Sequence, residues 1–549
     1  MARVSEFEAV VRGDGAPAAS GPDREDSPAH AQEPRGSRLD EWFARRSPRV
    51  QAAQRWAAPA LVLLAASGTR LWNLGHPHKL VFDETFYVKD AWTLWNLGYE
   101  ARWPAEANAM FEAGQTEVFS TDASFVVHPP LGKWLIGLGM AAFGPDNPAG
   151  WRIAPAIAGI LAVALVMLVA WLLWRQTTIA SLAGGLMAID GNAIVMSRVG
   201  LLDNFLMLFA LLGFLFVLLD RGWSAERLRR ARASTWGPAH DWGPAQWNRP
   251  WLIAAGAAFG AATAVKWNGL YFLAGFALYT LVVDALARRR AGIPFWFSGV
   301  VFKQAPVTFL LMIPVAAVVH LTAWSGWFAT EGGYDRQWAD AEGNAWTGPL
   351  AWVPAALQSW WHFQTSVYDY HVGETRPHGY QANPLTWLLL VRPTSMYYLS
   401  SSAGENGCTA QLCGESITGL ANPFLWWGAV IAAGYLVYRL IRRREWQVGL
   451  VLMGLSAGYL PWLGYLHRTV YQFYTIAFEP YLVLALAAVL GIILGSRDDP
   501  SWRRLSGLRT VGVYLAFVIA ASVFFWPLWT GMQLPYEVMR IHWWFPSWR

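Results

Sequence analysis

About eleven apolar runs follow one another along this chain, each near the ~20 residues that a helix needs to cross a bilayer. They lie at 57–75, 149–174, 178–196, 200–220, 251–266, 269–287, 305–324, 424–441, 447–465, 473–495 and 508–529. Lipid offers backbone groups no hydrogen-bond partner, so runs this long and apolar must be helices. The composition agrees: 55% of the residues are hydrophobic, only 14% are charged, and 35 are Trp. A soluble domain is about a quarter charged. The expected fold class is an all-α polytopic membrane protein. A shorter run at 133–143 reads as an interfacial or re-entrant piece.

Residues 1–55 are of a different composition, rich in Ala, Gly, Pro and charged side chains, and are expected to be a disordered tail. No cleavable signal peptide is recognised ahead of the first apolar run. Arg45, Arg46 and Arg49 precede that run and place the tail in the cytoplasm. Alternation then tests the count. The loops assigned inside, near 175, 221–250, 288–304, 442–446 and 496–507, carry Arg clusters such as Arg288–Arg290 and Arg442–Arg444. The short loops assigned outside carry single cations: Arg198, Lys266 and Arg468. That is the positive-inside pattern, and it puts the carboxyl terminus outside.

Two long loops, 76–148 and 325–423, fall on the outer side of the domain spanning 56–549. The net charge of +5 sits mostly in the inner loops, so nucleic acid is not an expected partner; membrane lipids are. The ionisable residues at the outer ends of the spans suggest an enzyme working there. A transporter of a lipid-linked sugar would instead place polar groups deep in the spans, where only Asp190 and His320 stand out.

Asp83 and Glu84 open the series in the first loop. Adjacent residues of a helix point about 100° apart, so the two carboxylates do not face each other across one bond. One at the reacting centre and one holding a cation or a backbone group is the better division, with Asp83 as general base. The plainer alternative is a helix cap. Lys133 follows His128-Pro129-Pro130, which must be a turn. With Arg152, Arg198 and Lys266 it makes four cations at one face, enough to hold a phosphate. No cofactor is expected, and dependence on a divalent metal is left open. Cys408 and Cys413 share the second loop, where an oxidising compartment favours a disulfide.

Taken in order, Phe82-Asp83-Glu84, His128-Pro129-Pro130-Leu131-Gly132-Lys133, Ser197-Arg198 with Leu201-Leu202-Asp203, Lys266-Trp267, His378/Tyr380/Pro384, Arg392-Pro393 and Tyr397-Tyr398 resemble the protein O-mannosyltransferases, of the GT-C fold. The resemblance covers about residues 56–545. It implies a polyprenyl-phosphate-mannose donor and Ser or Thr hydroxyls of an unfolded secretory polypeptide as acceptor, with the protein translocation machinery as a further expected partner. It puts the family's catalytic Asp on Asp83, its companion Glu on Glu84, and its essential Arg residues on Arg70 and Arg152. His128, Asp203, His362, His378 and Tyr380 are then expected to bind substrate. Eukaryotic members carry an Asp where this chain has Val126, and they carry β-trefoil repeats for which the second loop is too short. Both departures resemble the bacterial branch, whose lipid would be a bacterial polyprenyl such as decaprenyl. The expected reaction is a single inverting displacement at the outer face of a bacterial plasma membrane. The competing reading is a GT-C transferase acting on a lipid or polysaccharide.

Overall fold

The computed structural model describes residues 47–235, 242–496 and 498–549. The disordered-tail reading of residues 1–46, with Arg45 and Arg46, lies outside them, as does Arg497. Residues 48–55, assigned to the tail from sequence, form the start of helix α1 (Pro48–Leu71).

The described residues form an α-helical bundle with a small sheet at one end. In the first long loop lie α2 (Glu84–Leu97) and α3 (Leu131–Phe143). Then come α4 (Pro148–Trp174), α5 (Thr177–Ile189), α6 (Gly191–Arg198), α7 (Asp203–Ala231), α8 (Pro250–Val265), α9 (Gly269–Arg290) and α10 (Trp296–Ala323). The second long loop contributes α11 (Ala355–Gly373). The chain closes with α12 (Pro423–Arg443), α13 (Trp446–Tyr465), α14 (Glu479–Leu494) and α15 (Ser501–Thr530).

Seven of these helices are long and apolar enough to span a membrane, or eight if α5 and α6 count as one bent span, so the expected figure of about eleven is too high. The runs at 57–75, 251–266 and 473–495 yield shorter apolar helices: Trp56–Leu71, Pro250–Val265 and Glu479–Leu494. The physical reasons are local. Residues Gln472–Ala477 tighten into a 3-10 turn before α14. At Lys266 the backbone leaves the helix for extended geometry (φ −148°, ψ 145°). The run at 133–143 is α3, which packs on α2 and α4.

A three-stranded antiparallel sheet goes beyond the all-α expectation. Strand β1 (Thr394–Ser402) pairs with β2 (Leu412–Gly419), and β2 with β3 (Leu534–Pro535), in the order β1-β2-β3. A disulfide between Cys408 and Cys413, with Cα atoms 5.7 Å apart, braces the β1–β2 hairpin.

Helices α5 and α6 meet at a bend of 60°. Asp190 sits in the break. Its Oδ2 accepts the amides of Asn192 (2.8 Å) and Ala193 (3.3 Å), capping α6, and its Oδ1 accepts the amide of Asn422 (2.9 Å) before α12. This deep carboxyl, which with His320 stands out in the sequence, thus serves helix termini. Gly191 follows because a side chain there would run into the Trp529 ring and the Leu420 carbonyl. At the other end of α7 and α9, buried Arg249 bridges Asp220 and Asp284.

Replacing Gly191 by Ala is expected to destabilise the protein by about 1–3 kcal/mol through overpacking against a carbonyl that cannot yield. Thermal melts in detergent, run beside Gly434→Ala, whose site is open, provide the check.

Candidate active site

The turn that presents the acidic pair is strained. Phe82 adopts φ +50°, the left-handed region that a residue with a Cβ avoids. Its ring is wedged edge-on against Phe473 (5.6 Å), Tyr471 (5.8 Å) and His378 (6.3 Å), and this packing holds the conformation. The next residue, Asp83, stands at the amino end of α2 but makes no side-chain capping bond. The helix-cap role therefore does not account for it. Burial pushes its carboxyl up to about 6; Lys266 nearby pulls it down, Asp203 pushes it up, and a hydrogen bond from Tyr87 pulls it down.

Glu84, one residue on, points into the protein and is fully buried. Its Oε1 accepts from Arg152 Nε (2.8 Å) and the Gly200 amide (2.7 Å). Its Oε2 accepts from Arg152 Nη2 (2.9 Å) and the Val81 amide (2.9 Å). Arg152 in turn donates to the carbonyls of Leu74, Pro77 and Lys79. The two neighbouring carboxylates thus have opposite surroundings.

The cations expected to hold a phosphate are mostly engaged elsewhere. Arg198 donates to the carbonyls of Thr69, Arg70, Trp72 and Asn73, closing the carboxyl end of α1. Arg70 does the same for α5, through the carbonyls of Met187 and Ala188. Positive charge belongs at these helix ends, where carbonyls are left over. Lys133 is buried in an ion pair with Glu100. Lys266 binds Asp203 Oδ2 at 2.7 Å, under the Tyr474 ring.

Of Arg70 and the four cations expected to hold a phosphate, Lys266 alone lines the polar pocket near Asp83. Asp203, His128, His371, Arg468 and the aromatic rings of Trp267 and Tyr474 share that wall. A separate groove of about 410 Å³ near Val318 and Leu357 is lined almost wholly by apolar groups and has no chemistry to offer.

Arg468 enters the sequence reading only as a lone charge in an outer loop. It donates to Nδ1 of His371 (2.9 Å), whose Nε2 lies 2.7 Å from the Val127 carbonyl. Arginine only donates, so Nδ1 is the acceptor and Nε2 carries the hydrogen. Burial, with Arg468 adding to it, pushes His371 down to about 4. His128, stacked on it at 5.2 Å, is pushed well below its usual range, chiefly by burial. Both rings are neutral at neutral pH. Among the described residues no carboxylate lies within ion-pairing distance of Arg468, and its Nε is buried without a partner. No spacing motif surrounds it; only its isolation in a short outer loop could have flagged it.

The remaining candidates separate. His378 is exposed at the rim, against Phe82 and Tyr471. Tyr380 packs under Arg392 (4.8 Å), which also binds the carbonyls of Gly379, Ser547 and Arg549, so Arg392 fastens this loop to the carboxyl terminus. His362 stacks on Trp338 at 4.0 Å, beside Asp335, and does not line the pocket. Val126 is buried among Trp324, Trp327 and Phe363, an apolar setting unsuited to a carboxylate. Among the described residues no three His, Cys, Asp or Glu side chains gather closely enough to hold a metal ion.

Comparisons with known proteins agree with one another. Residues 60–328 match the family described as dolichyl-phosphate-mannose-protein mannosyltransferase, and residues 356–548 match the C-terminal four-transmembrane region of protein O-mannosyltransferase. The chain is 35% identical over 512 residues to a polyprenol-phosphate-mannose–protein mannosyltransferase of Mycolicibacterium smegmatis (strain MKD8), covering 91% of this chain and 94% of that protein. It is 34% identical to the protein of that description from Mycobacterium tuberculosis (strain CDC 1551 / Oshkosh), over 90% of this chain and 92% of the relative. The solved Saccharomyces cerevisiae Pmt1–Pmt2 complex, a protein O-mannosyltransferase bound to the sugar donor, superposes with a TM-score of 0.66 at 14% identity, covering 90% of this chain and 93% of that one. That likeness establishes the GT-C fold.

The geometry separates the two carboxylates experimentally. Glu84→Gln strands a buried guanidinium, which is expected to cost about 3–5 kcal/mol of stability. Asp83→Asn should leave the melting temperature close to that of the wild type, because nothing in the fold hangs on its charge.

Proposed function

This chain belongs to the polyprenol-phosphate-mannose–protein mannosyltransferase family, and on that premise we propose that Asp83 is the general base of its active site. The protein is an enzyme of the actinobacterial type in a membrane, and it transfers mannose from a polyprenyl-phosphate-mannose donor to Ser and Thr residues of secreted or translocating proteins.

The observation that carries the assignment is the contrast between Asp83 and Glu84. Asp83 makes no capping bond, is hydrogen-bonded with Tyr87, feels the charges of Lys266 and Asp203 in the wall of the polar pocket, and has its proton affinity raised to about 6. That value suits a base which is ionised at neutral pH yet able to hold a proton briefly. The acceptor oxygen attacks the anomeric carbon as Asp83 takes its proton, and the bond from that carbon to the phosphate oxygen breaks. Mannose is transferred with inversion, and polyprenyl phosphate leaves. Tyr87 orients the Asp83 carboxylate. Lys266, fixed by Asp203, holds that carboxylate in its charged form. Glu84 and Arg152 hold the turn in place.

Arg468 stabilises the leaving phosphate. It is the pocket cation without a carboxylate partner, and the neutral rings of His371 and His128 beside it leave its charge undiluted. The guanidinium groups of Arg70, Arg152 and Arg198 are spent on backbone carbonyls and, for Arg152, on Glu84, and act as fasteners of helix ends and loops. The sidedness follows from the Arg distribution along the sequence: pocket and carboxyl terminus on the extracytoplasmic side of a bacterial plasma membrane, amino-terminal tail inside. Delivery of the acceptor by the translocation machinery fits a site that needs an unfolded chain.

Two measurements test the roles. Asp83→Asn is expected to lower turnover about 10²–10⁴-fold in a membrane assay with lipid donor and Thr peptide. In the wild type kcat should rise with pH, reach half its plateau near pH 6 and stay level above it, because the carboxyl must be ionised to act. Arg468→Gln is expected to lower kcat about 10²-fold while leaving the peptide KM unchanged, since only the phosphate loses a partner.

A further inference from the structure

The outer sheet has two edges, and they are built differently. The β3 edge is two residues long and ends in Pro535, which has no amide hydrogen to offer. The β1 edge runs for nine residues, Thr-Ser-Met-Tyr-Tyr-Leu-Ser-Ser-Ser, without a proline or a charge. Edge strands of this length are normally guarded by Lys, Pro or brevity, because their free N–H and C=O groups pair with any extended chain. The β1 edge has only a bulge between Ser395 and Tyr397. Among the described residues no backbone hydrogen bond joins Tyr397–Ser400 to anything outside the sheet. Tyr398 and Ser400 are exposed.

This strand adjoins the active-site turn. The Tyr397 hydroxyl is hydrogen-bonded to Glu415 on β2 and lies beside Glu112. Glu112 Oε1 accepts the Leu80 amide at 2.9 Å, three residues before Asp83. Glu415 also stands 3.5 Å from His76 in the same loop. Sheet and active-site loop are therefore in contact through Tyr397, Glu415 and Glu112.

We propose that the β1 edge docks the acceptor polypeptide, which joins the sheet as a further strand while the residue to be mannosylated reaches Asp83. This rests on the peptide-acceptor activity stated above and names how that substrate is held. The occupant is an uncharged, extended segment flanking the acceptor Ser or Thr. Backbone pairing supplies affinity without reading side chains, which suits acceptors of unrelated sequence arriving unfolded. An edge without charge of its own neither attracts nor repels either sign, so acidic and basic flanks are disfavoured only by their own desolvation.

The test is a set of acceptor peptides with a single Thr, each methylated at one backbone nitrogen, assayed with the purified enzyme and polyprenyl-phosphate-mannose. N-methylation at every second position of one flank should raise the peptide KM roughly two- to tenfold per lost hydrogen bond. The positions between should be silent, because alternate amides of an edge-paired strand point away. Leu399→Lys should raise KM for all peptides and leave the lipid-donor KM unchanged. The peptide series leaves the enzyme unaltered, so it decides the matter even if that variant folds poorly. A flat methylation profile, or one confined to the acceptor Thr and its immediate neighbours, overturns the docking strand. Failure to mannosylate the unmethylated peptide as well contradicts the acceptor activity itself.

Discussion

The fork between Glu84 and Arg152 is the contact on which the rest of the site depends. A single carboxylate gathers the Val81 amide, the Gly200 amide and two nitrogens of one guanidinium; that guanidinium gathers three carbonyls of the loop before α2. Four stretches of chain are thereby fixed to one another: the first long loop, the start of α2, the amino end of α4 and the link between α6 and α7. A buried ion pair is poor evidence of net stability, because desolvating both charges offsets most of their attraction. What it does supply is a single geometry, since any other arrangement leaves a bare charge inside. Asp83 inherits that geometry by being the next residue along.

The same logic separates structural from functional charge. Arg70 and Arg198 sit where helices α5 and α1 leave carbonyls unpaired, and Lys133 neutralises Glu100. Their charges are compensated within the fold, so little of their field is left for a ligand. Arg468 differs. It leans on the ring of His371, kept neutral chiefly by burial, and among the described residues it has no carboxylate within ion-pairing distance. Asp83 shows the converse: burial raises its proton affinity, and Lys266 stops it from becoming a neutral acid at physiological pH.

Much of this is legible in the sequence. Long apolar runs announce helices because lipid allows little else, and the acidic pair stands out because carboxylates at a membrane face need a reason. That Asp83 and Glu84 point in different directions follows from helix geometry alone. The span count fails: a run of apolar residues does not reveal the 3-10 turn at Gln472–Ala477 or the 60° break at Asp190. The sheet is hidden because Thr394–Ser402 is short on hydrophobic residues, and because β2 finds its second partner at Leu534–Pro535, far along the chain. The cations are beyond reach for a plainer reason. Arg152 and Arg468 look alike in a string of letters, and only their neighbours tell a fastened guanidinium from one that lines a pocket.

One carboxylate, acting as a base, suffices for a single displacement. The most direct measurement of this is the anomeric configuration of the mannosyl-threonine product against that of the lipid donor, read from the one-bond C1–H1 coupling by NMR. Base-assisted displacement predicts opposite configurations and no mannose trapped on the protein. Retention of the donor's configuration would contradict it, because a second displacement would then have to pass through a covalent mannosyl-enzyme with Asp83 as nucleophile.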